Sequence, residues 1–274
     1  MAASGQDAQA GELTKGWAGR VRSEQELVAA ANQGYIGSYR TLVRHCSDGE
    51  VRDVAGVFAF ATGLPLALFN GCVVVEPTSA DQVHAAIDWV AARGVPHRVW
   101  IADSLVPDLG HAPLAHGLHV EGRPYPGMVL HPIPELPAPA AGVTVEAVAP
   151  SGLERFLRVS IESGIPPAAA GELFSPSFAA DPDVQLFIGS LDGRPVGTSV
   201  AIRTGDVSGV YAVGTLPAAR RRGVGSALTW AAVAAGRAWD CDTIVLQASE
   251  MGLPIYAAMG FRTVVEYTVF GRPV

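Results

Sequence analysis

The 274-residue chain predicts two α+β units, each a mixed, mostly antiparallel sheet flanked by helices. Three observations carry this. Apolar runs of strand length alternate with stretches of helical period; a proline-rich segment, HPIPELPAPAA from His131 to Ala141, interrupts them; and the two sides of that segment echo each other. Four prolines in so short a span forbid regular helix and make a stiff extended connector. We assign residues 1–19 to a flexible tail, 20–135 to a first unit, 136–142 to the linker and 143–274 to a second unit.

In the first unit, Ser23 and Glu26 form a capping-box pair that opens a helix carrying Leu27 and Val28. Strand-like runs follow at Val54–Thr62 and Cys72–Glu76. Ser79 and Gln82 cap a second helix, with Val83, Ala86, Ile87 and Val90 on one face. A strand at His97–Ala102, a short helix near Leu105–His116 and strand signals at Leu118–Glu121 and Met128–Leu130 complete it.

The second unit opens with a strand at Val143–Val148. Ser151 and Glu154 are expected to cap a helix whose Leu153, Phe156 and Leu157 face inward. Strands Val184–Leu191 and Pro195–Arg203 flank Asp192-Gly193, a two-residue hairpin signal. Strand Gly209–Thr215 runs into an arginine- and glycine-rich loop, followed by a helix to about Ala238, strand Thr243–Gln247, a short helix Leu253–Met259 and strand Phe261–Phe270. Gly117 aligned with Gly260 puts HRVWIADSLVPDLGHAPLAHGLHVEG against DTIVLQASEMGLPIYAAMGFRTVVE. Both read strand, loop, helix, Gly-apolar, strand, as a duplicated fold would.

Bulk properties narrow the function. The net charge of -7 argues against non-specific nucleic-acid binding, which rests on a basic surface. No run of about 18 apolar residues exists, so no transmembrane helix is expected, and the start lacks the plan of a secretory signal. A cytoplasmic location is the expectation. Cys46, Cys72 and Cys241 are widely separated and read as buried thiols. His111 and His116 lack nearby metal-ligating partners, and no metal is expected. Trp89, Trp100, Trp230 and Trp239 read as packing.

The chemistry concentrates in Thr215-Leu-Pro-Ala-Ala-Arg-Arg-Arg-Gly-Val-Gly-Ser-Ala-Leu228. A helix opening there offers unpaired N–H groups and the positive end of its dipole. Gly223 and Gly225 carry no side chains, so a phosphate can reach those amides, and Arg220, Arg221 and Arg222 add positive charge. A solvated arginine-rich turn would look similar, but the position between a strand and an apolar helix favours a diphosphate site.

VYAVGTLPAARRRGVGSAL resembles the acetyl-coenzyme A loop of GNAT acetyltransferases, Gln/Arg-x-x-Gly-x-Gly/Ala. SEMGLPIYAAMGF resembles the family's second signature, in which a tyrosine precedes a Gly-Phe pair. The resemblance covers about Val143 to Phe270 and implies a GNAT-like fold there, in tandem with a degenerate GNAT-like first unit that lacks the cofactor loop. It implies that the backbone of Val213, Gly214 and Thr215 pairs with the pantetheine arm. Arg220 would hold the motif's first position, and Arg221, Arg222, Gly223, Val224, Gly225 and Ser226 would wrap the pyrophosphate. Ser249 stands where the family often has asparagine, a departure that leaves only a hydroxyl for the pantetheine. Tyr256 would protonate the departing thiolate.

The resemblance also implies an N-acetyltransferase using acetyl-coenzyme A as co-substrate, with the primary amine of a small molecule as acceptor. Alternatives are acetylation of a protein amino terminus or lysine, and a non-catalytic acyl-coenzyme A sensor. Glu162, Glu172 and Glu250 are the carboxylates weighed as base, each read more readily as a surface group. Cys241 is not expected to form an acetyl-enzyme. The first unit is expected to cover one side of the acceptor pocket or to form a homodimer contact.

Overall fold

The computed structural model describes residues 21–272; the expected tail, 1–19, lies outside the described residues. In the first half, helix α1 (Glu24–Arg44) precedes strands β1 (Glu50–Val54), β2 (Val57–Ala61) and β3 (Asn70–Val74), helix α2 (Ala80–Ala91) and strand β4 (Arg98–Ala102). Short helices α3 (Val106–Leu109) and α4 (His111–Ala115) then lead to β5 (His119–Val120) and β6 (Tyr125–Leu130). After the proline-rich connector come β7 (Val143–Val148), helices α5 (Leu153–Glu162), α6 (Pro167–Leu173) and α7 (Pro176–Ala179), and strands β8 (Val184–Leu191), β9 (Arg194–Thr204) and β10 (Val207–Thr215). Helix α8 (Val224–Ala238), β11 (Thr243–Gln247), α9 (Leu253–Ala258) and β12 (Arg262–Gly271) end the described chain.

Local chemistry accounts for most of these bounds. Both expected capping boxes, Ser23 with Glu26 and Ser79 with Gln82, close reciprocally. Asp192 and Gly193 take φ of 50° and 78°, the left-handed pair of a tight hairpin. Three expectations need correction. The run Val54–Thr62 is not one strand, because Ala55 and Gly56 (φ 36° and 91°) turn the chain between β1 and β2. The helix near Leu105–His116 is broken at Gly110, where a Cβ would stand 2.8 Å from the Val106 carbonyl. Helix α5 has Gly152 as N-cap and no side-chain cap, since Pro150–Gly152 already forms a tight 3-10 turn.

Among the described residues the strands form one twelve-stranded sheet in the order β1-β2-β3-β4-β12-β6-β11-β10-β9-β8-β7, with β5 paired to β12. Each half contributes a run of antiparallel strands ending in a parallel crossover, β3-α2-β4 and β10-α8-β11. The halves then exchange their last strands. Strand β6 pairs with β11 of the second half, and β12 pairs with β4 of the first. Gly117 and Gly260, aligned in sequence, both take positive φ (70° and 94°) just after the short helix that leads to the exchanged strand.

Residues alternate across this sheet as strand geometry requires. On the first half, Val57, Ala59, Cys72, Val74, Val99 and Ile101 pack under α2, whereas Phe58, Phe60, Val73 and Trp100 face α1. On the second, Ile244 and Leu246 face α8 and Val245 faces α1. Helix α1 therefore covers the face opposite both crossover helices.

Helix α1 belongs to the first half in sequence but packs on both halves, and its ends are tied to the second. Arg22, just ahead of it, is buried between Asp206 (2.6 Å) and Asp242 (2.7 Å). At its other end, His45 meets Asp181 at 2.7 Å, Arg44 pairs with the same carboxylate, and Glu172 accepts from the Ser47 amide and hydroxyl. Midway, Gly34 and Gly37 let the helix lie directly on the sheet: a Cβ at Gly34 would stand 2.4 Å from Val245 Cγ2, and one at Gly37 2.2 Å from Thr204 Cγ2. On a solvated helix Gly→Ala gains about 1 kcal/mol. Gly34→Ala is instead expected to lower stability by about 1–2 kcal/mol, because overpacking outweighs that gain. Urea unfolding reads the sign directly; a stabilised variant would mean that α1 is not seated on β11.

Candidate active site

The site begins where β10 and β11 part. They pair in parallel only from Val207–Thr243 to Gly209–Val245. Beyond that point β10 stays paired with β9, and β11 stays paired with β6. Among the described residues, the facing edges of Tyr211–Thr215 and Leu246–Gln247 have no strand partner and line a wedge-shaped split. A bulge between Tyr211 and Gly214, with Ala212 at φ 49°, turns the β10 backbone at this spot. Val213, Gly214 and Thr215 are therefore on the open edge, the position the resemblance assigns to the pantetheine contact.

At the outer end of the split lies the turn into α8. Arg221 and Gly223 both take left-handed backbone (φ 63° and 82°), a geometry that gathers successive N–H groups into an anion-binding concavity. Gly223 is the N-cap and supplies no side-chain cap, so the first-turn amides of Val224, Gly225 and Ser226 lack the intrahelical partners of later turns. The two glycines differ in purpose. Gly223 is required by its positive φ and by Ala140 of the connector, whose Cβ would stand 2.9 Å from an added Cβ. An added Cβ at Gly225 would meet nothing closer than Thr215 Oγ1 at 3.7 Å, so protein packing does not explain this glycine, and open space stands before the amides. Arg220, Arg221 and Arg222 are exposed; Arg220 Nε donates to the Thr215 carbonyl (3.2 Å), and Arg222 lies 3.7 Å from Asp192.

The first half offers a direct contrast. At the equivalent turn into α2, the Ser79 hydroxyl already accepts from the Gln82 amide and no glycine is present. That helix start is blocked by its own cap.

The inner end of the split opens into a cavity of about 420 Å³. Tyr35, Ser38, Tyr39 and Leu42 of α1 form one wall, and Leu173, Phe174 and Phe178 of the α6–α7 region another. The floor is β9 and β10, and Gln247, Ser249, Tyr256 and Tyr125 close the side toward β11. Several hydroxyls here bond to backbone: Tyr211 donates to the Gly34 carbonyl (2.8 Å), Tyr39 to the Leu68 carbonyl (3.0 Å) and Ser38 to the Tyr35 carbonyl (2.7 Å). Gly209 makes room for the Tyr211 ring, which would lie 2.2 Å from a Cβ there.

Tyr256 is half-buried on α9, edge-on to Phe261 at 5.9 Å, with no protein hydrogen bond to its hydroxyl among the described residues. Burial raises its pKa above 10, so the phenol holds its proton throughout the neutral range. Ser249 Oγ accepts from the Gly252 amide at 3.2 Å and so caps the turn into α9, leaving its O–H free to donate. Two buried polar atoms near the split have no partner among the described residues: the Gln247 side-chain nitrogen, and Ser163 Oγ, whose residue packs against Gly214.

The carboxylates weighed as bases do not line the cavity. Glu162 and Glu250 are exposed, and Glu172 is held by Ser47. All three cysteines are buried and free; His116 packs on His84 at 2.9 Å rather than on His111. Among the described residues no cluster of three metal-ligating side chains occurs, and no helix is long and apolar enough to cross a membrane.

The sequence reading missed Tyr35, Tyr39, Tyr125, Tyr211 and Gln247. The available signal was Tyr35-x-x-Ser38-Tyr39, polar-tipped residues sharing one face of a helix that also carries Gly34 and Gly37.

Burial of neutral phenols and thiols has a consequence at high pH. Desolvation raises Tyr35, Tyr39, Tyr211 and Tyr267 above their ordinary value and pushes Cys46 and Cys241 up to about 11. Between the unfolded and folded pKa values the unfolded chain binds fewer protons, so stability falls as pH rises. The urea midpoint is expected to hold steady to about pH 9 and then decline, first through the thiols and above about 10 through the phenols. A midpoint unchanged at pH 10.5 would contradict this burial.

Comparisons with known proteins bear on the family and the fold. The family model "Acetyltransferase (GNAT) family" matches residues 157–261, from α5 to the start of β12. No curated protein matches the chain. Among solved structures it is similar to a GCN5-related N-acetyltransferase from Kribbella flavida, with 22% identity, a TM-score of 0.66 and coverage of 89% of this chain and 96% of that one. A GCN5-related N-acetyltransferase from Sphaerobacter thermophilus is 19% identical at a TM-score of 0.58, covering 80% and 78%. A tandem GNAT protein from the clavulanic acid biosynthesis pathway is 12% identical at 0.58, covering 90% and 94%. At such identities the neighbours speak for the fold, and the tandem one for its doubling. With the matched segment spanning both the split and the α8 turn, residues 157–261 are a GNAT acetyltransferase domain by their family match, and acyl transfer is the activity that this match supports.

Proposed function

We propose that the protein moves the acetyl group of acetyl-coenzyme A directly to a primary amine of a small molecule. The divergence of β10 and β11 carries this reading, because it joins the open amides of α8 to the cavity beside Tyr256 along a single path. The amides of Val224–Ser226 and the arginines hold the diphosphate, and the bulged edge at Val213–Thr215 receives the pantetheine as an added strand. Ser249 can donate one hydrogen bond to that arm.

Acetyl-coenzyme A supplies an acyl carbon on a good leaving group. In the transfer a C–N bond forms and the C–S bond breaks, its electron pair going to sulfur. Tyr256 donates its proton to that sulfur, and the proton shed by the amine restores the phenol through solvent. A phenol of raised pKa is a weak acid, but a thiolate of ordinary pKa near 8–9 draws its proton within the neutral range through partial transfer as the bond breaks. The walls formed by α1 and the α6–α7 region confine the acceptor end of the site to about the size of a small molecule, which supports a small acceptor over a protein terminus or lysine.

The test is release of free coenzyme A thiol from acetyl-coenzyme A with a panel of amines and peptides, alongside calorimetric binding of acetyl-coenzyme A. Micromolar binding with acceptor-dependent release is expected. Binding without release on any amine or peptide would replace this reading with the sensor.

A further inference from the structure

The cavity is built almost wholly from rings and hydrocarbon, with no charged side chain among its lining residues. Five of the chain's six tyrosines line it, and the sixth, Tyr267, packs tilted against Tyr35 with ring centroids 5.0 Å apart. The hydroxyls of Tyr39 and Tyr211 are bonded to backbone carbonyls, so what these residues give the cavity is ring surface. One polar group stands apart. The side-chain nitrogen of Gln247, on the β11 side of the split, is buried with no partner among the described residues, a donor that a bound molecule can satisfy.

These features constrain the acceptor. An ammonium entering here would shed its water without gaining a carboxylate, and ring faces return only part of that loss. No lining group can remove its proton either. An amine already neutral at pH 7 avoids both problems and needs no dedicated base. Resting on the transfer reading above, we propose that the acceptor is an amine of low basicity on an aromatic body, carrying one hydrogen-bond acceptor that meets Gln247. Of the cavity's volume of about 420 Å³, the part toward Val213, Ser249 and Tyr256 goes to the thioester end, and the remainder suits a ring with a short substituent.

The full-length chain is assayed for thiol release with acetyl-coenzyme A and three acceptors: 4-aminoacetophenone, 4-ethylaniline and spermidine. The expected order of kcat/KM is 4-aminoacetophenone above 4-ethylaniline by about tenfold, and both above spermidine by about a hundredfold or more. Gln247→Leu is expected to bring the ratio between the two arylamines to about one, while calorimetry shows acetyl-coenzyme A still bound. Spermidine acetylated as well as the arylamines would overturn the proposal and leave the transfer reading standing. So would faster turnover of benzoyl- than acetyl-coenzyme A without discrimination among acceptors, since the cavity would then hold the acyl chain. Failure to bind acetyl-coenzyme A, or binding without release on any amine, would overturn both.

Discussion

Tyr256→Phe is expected to lower kcat for acetyl transfer by about 10²–10³-fold while the Kd for acetyl-coenzyme A changes by less than about twofold. The substitution removes one oxygen from a ring already held by Phe261 and lying over Gly252, so the fold has no reason to move. Because the hydroxyl has no protein partner among the described residues, no structural hydrogen bond is lost with it. The whole effect should therefore appear in the chemical step. Its raised pKa adds a second signature: titration of Tyr256 does not lower the rate within the neutral range. Equal loss of binding and turnover would remove Tyr256 from the acid role, as would an unchanged kcat.

Gly225→Leu is expected to weaken acetyl-coenzyme A binding by at least about 100-fold and at the same time to stabilise the free protein slightly. The two signs differ because they have separate causes. In the first turn of α8 a leucine improves helix propensity by up to about 1 kcal/mol, and its Cβ meets no atom within 3.7 Å. The side chain then stands where a phosphate must approach the amides of Val224–Ser226. Calorimetry and thermal unfolding on one preparation read both signs. Tight binding in a stabilised variant would mean that the diphosphate lies elsewhere. Gly223→Leu would not separate the effects, because its positive φ and the contact with Ala140 strain the free protein as well.

What could be read from the sequence was whatever local chemistry decides. The capping boxes at Ser23 and Ser79, the Asp192-Gly193 turn and strands Val184–Leu191 and Thr243–Gln247 each depend on a few neighbouring residues. The glycine-rich turn was legible for the same reason, since its amides, arginines and glycines are consecutive. Local patterns also misled. Ser151 and Glu154 have capping-box spacing, yet Ser151 is taken up in the turn at Pro150–Gly152 and Gly152 becomes the N-cap, so Glu154 in the first turn has no capping partner.

Long-range pairing left no local trace. Nothing in Met128–Leu130 says that it borders β11 rather than β4, and nothing in Arg262–Gly271 says that it crosses to the first half. The same holds for α1. Its tyrosines become a cavity wall only because the helix lies on β10 and β11, a placement that no neighbouring residue announces. The first half contributes that wall through tertiary contact, while its own crossover helix has a sealed start at Ser79.

A crystal structure with bound coenzyme A bears most directly on this account. The expected result is a pyrophosphate within hydrogen-bond reach of the Val224–Ser226 amides, a pantetheine arm paired along Val213–Thr215, and a sulfur beside the Tyr256 hydroxyl. A ligand whose diphosphate sits away from the α8 turn, with β10 and β11 still parted and empty, would contradict it.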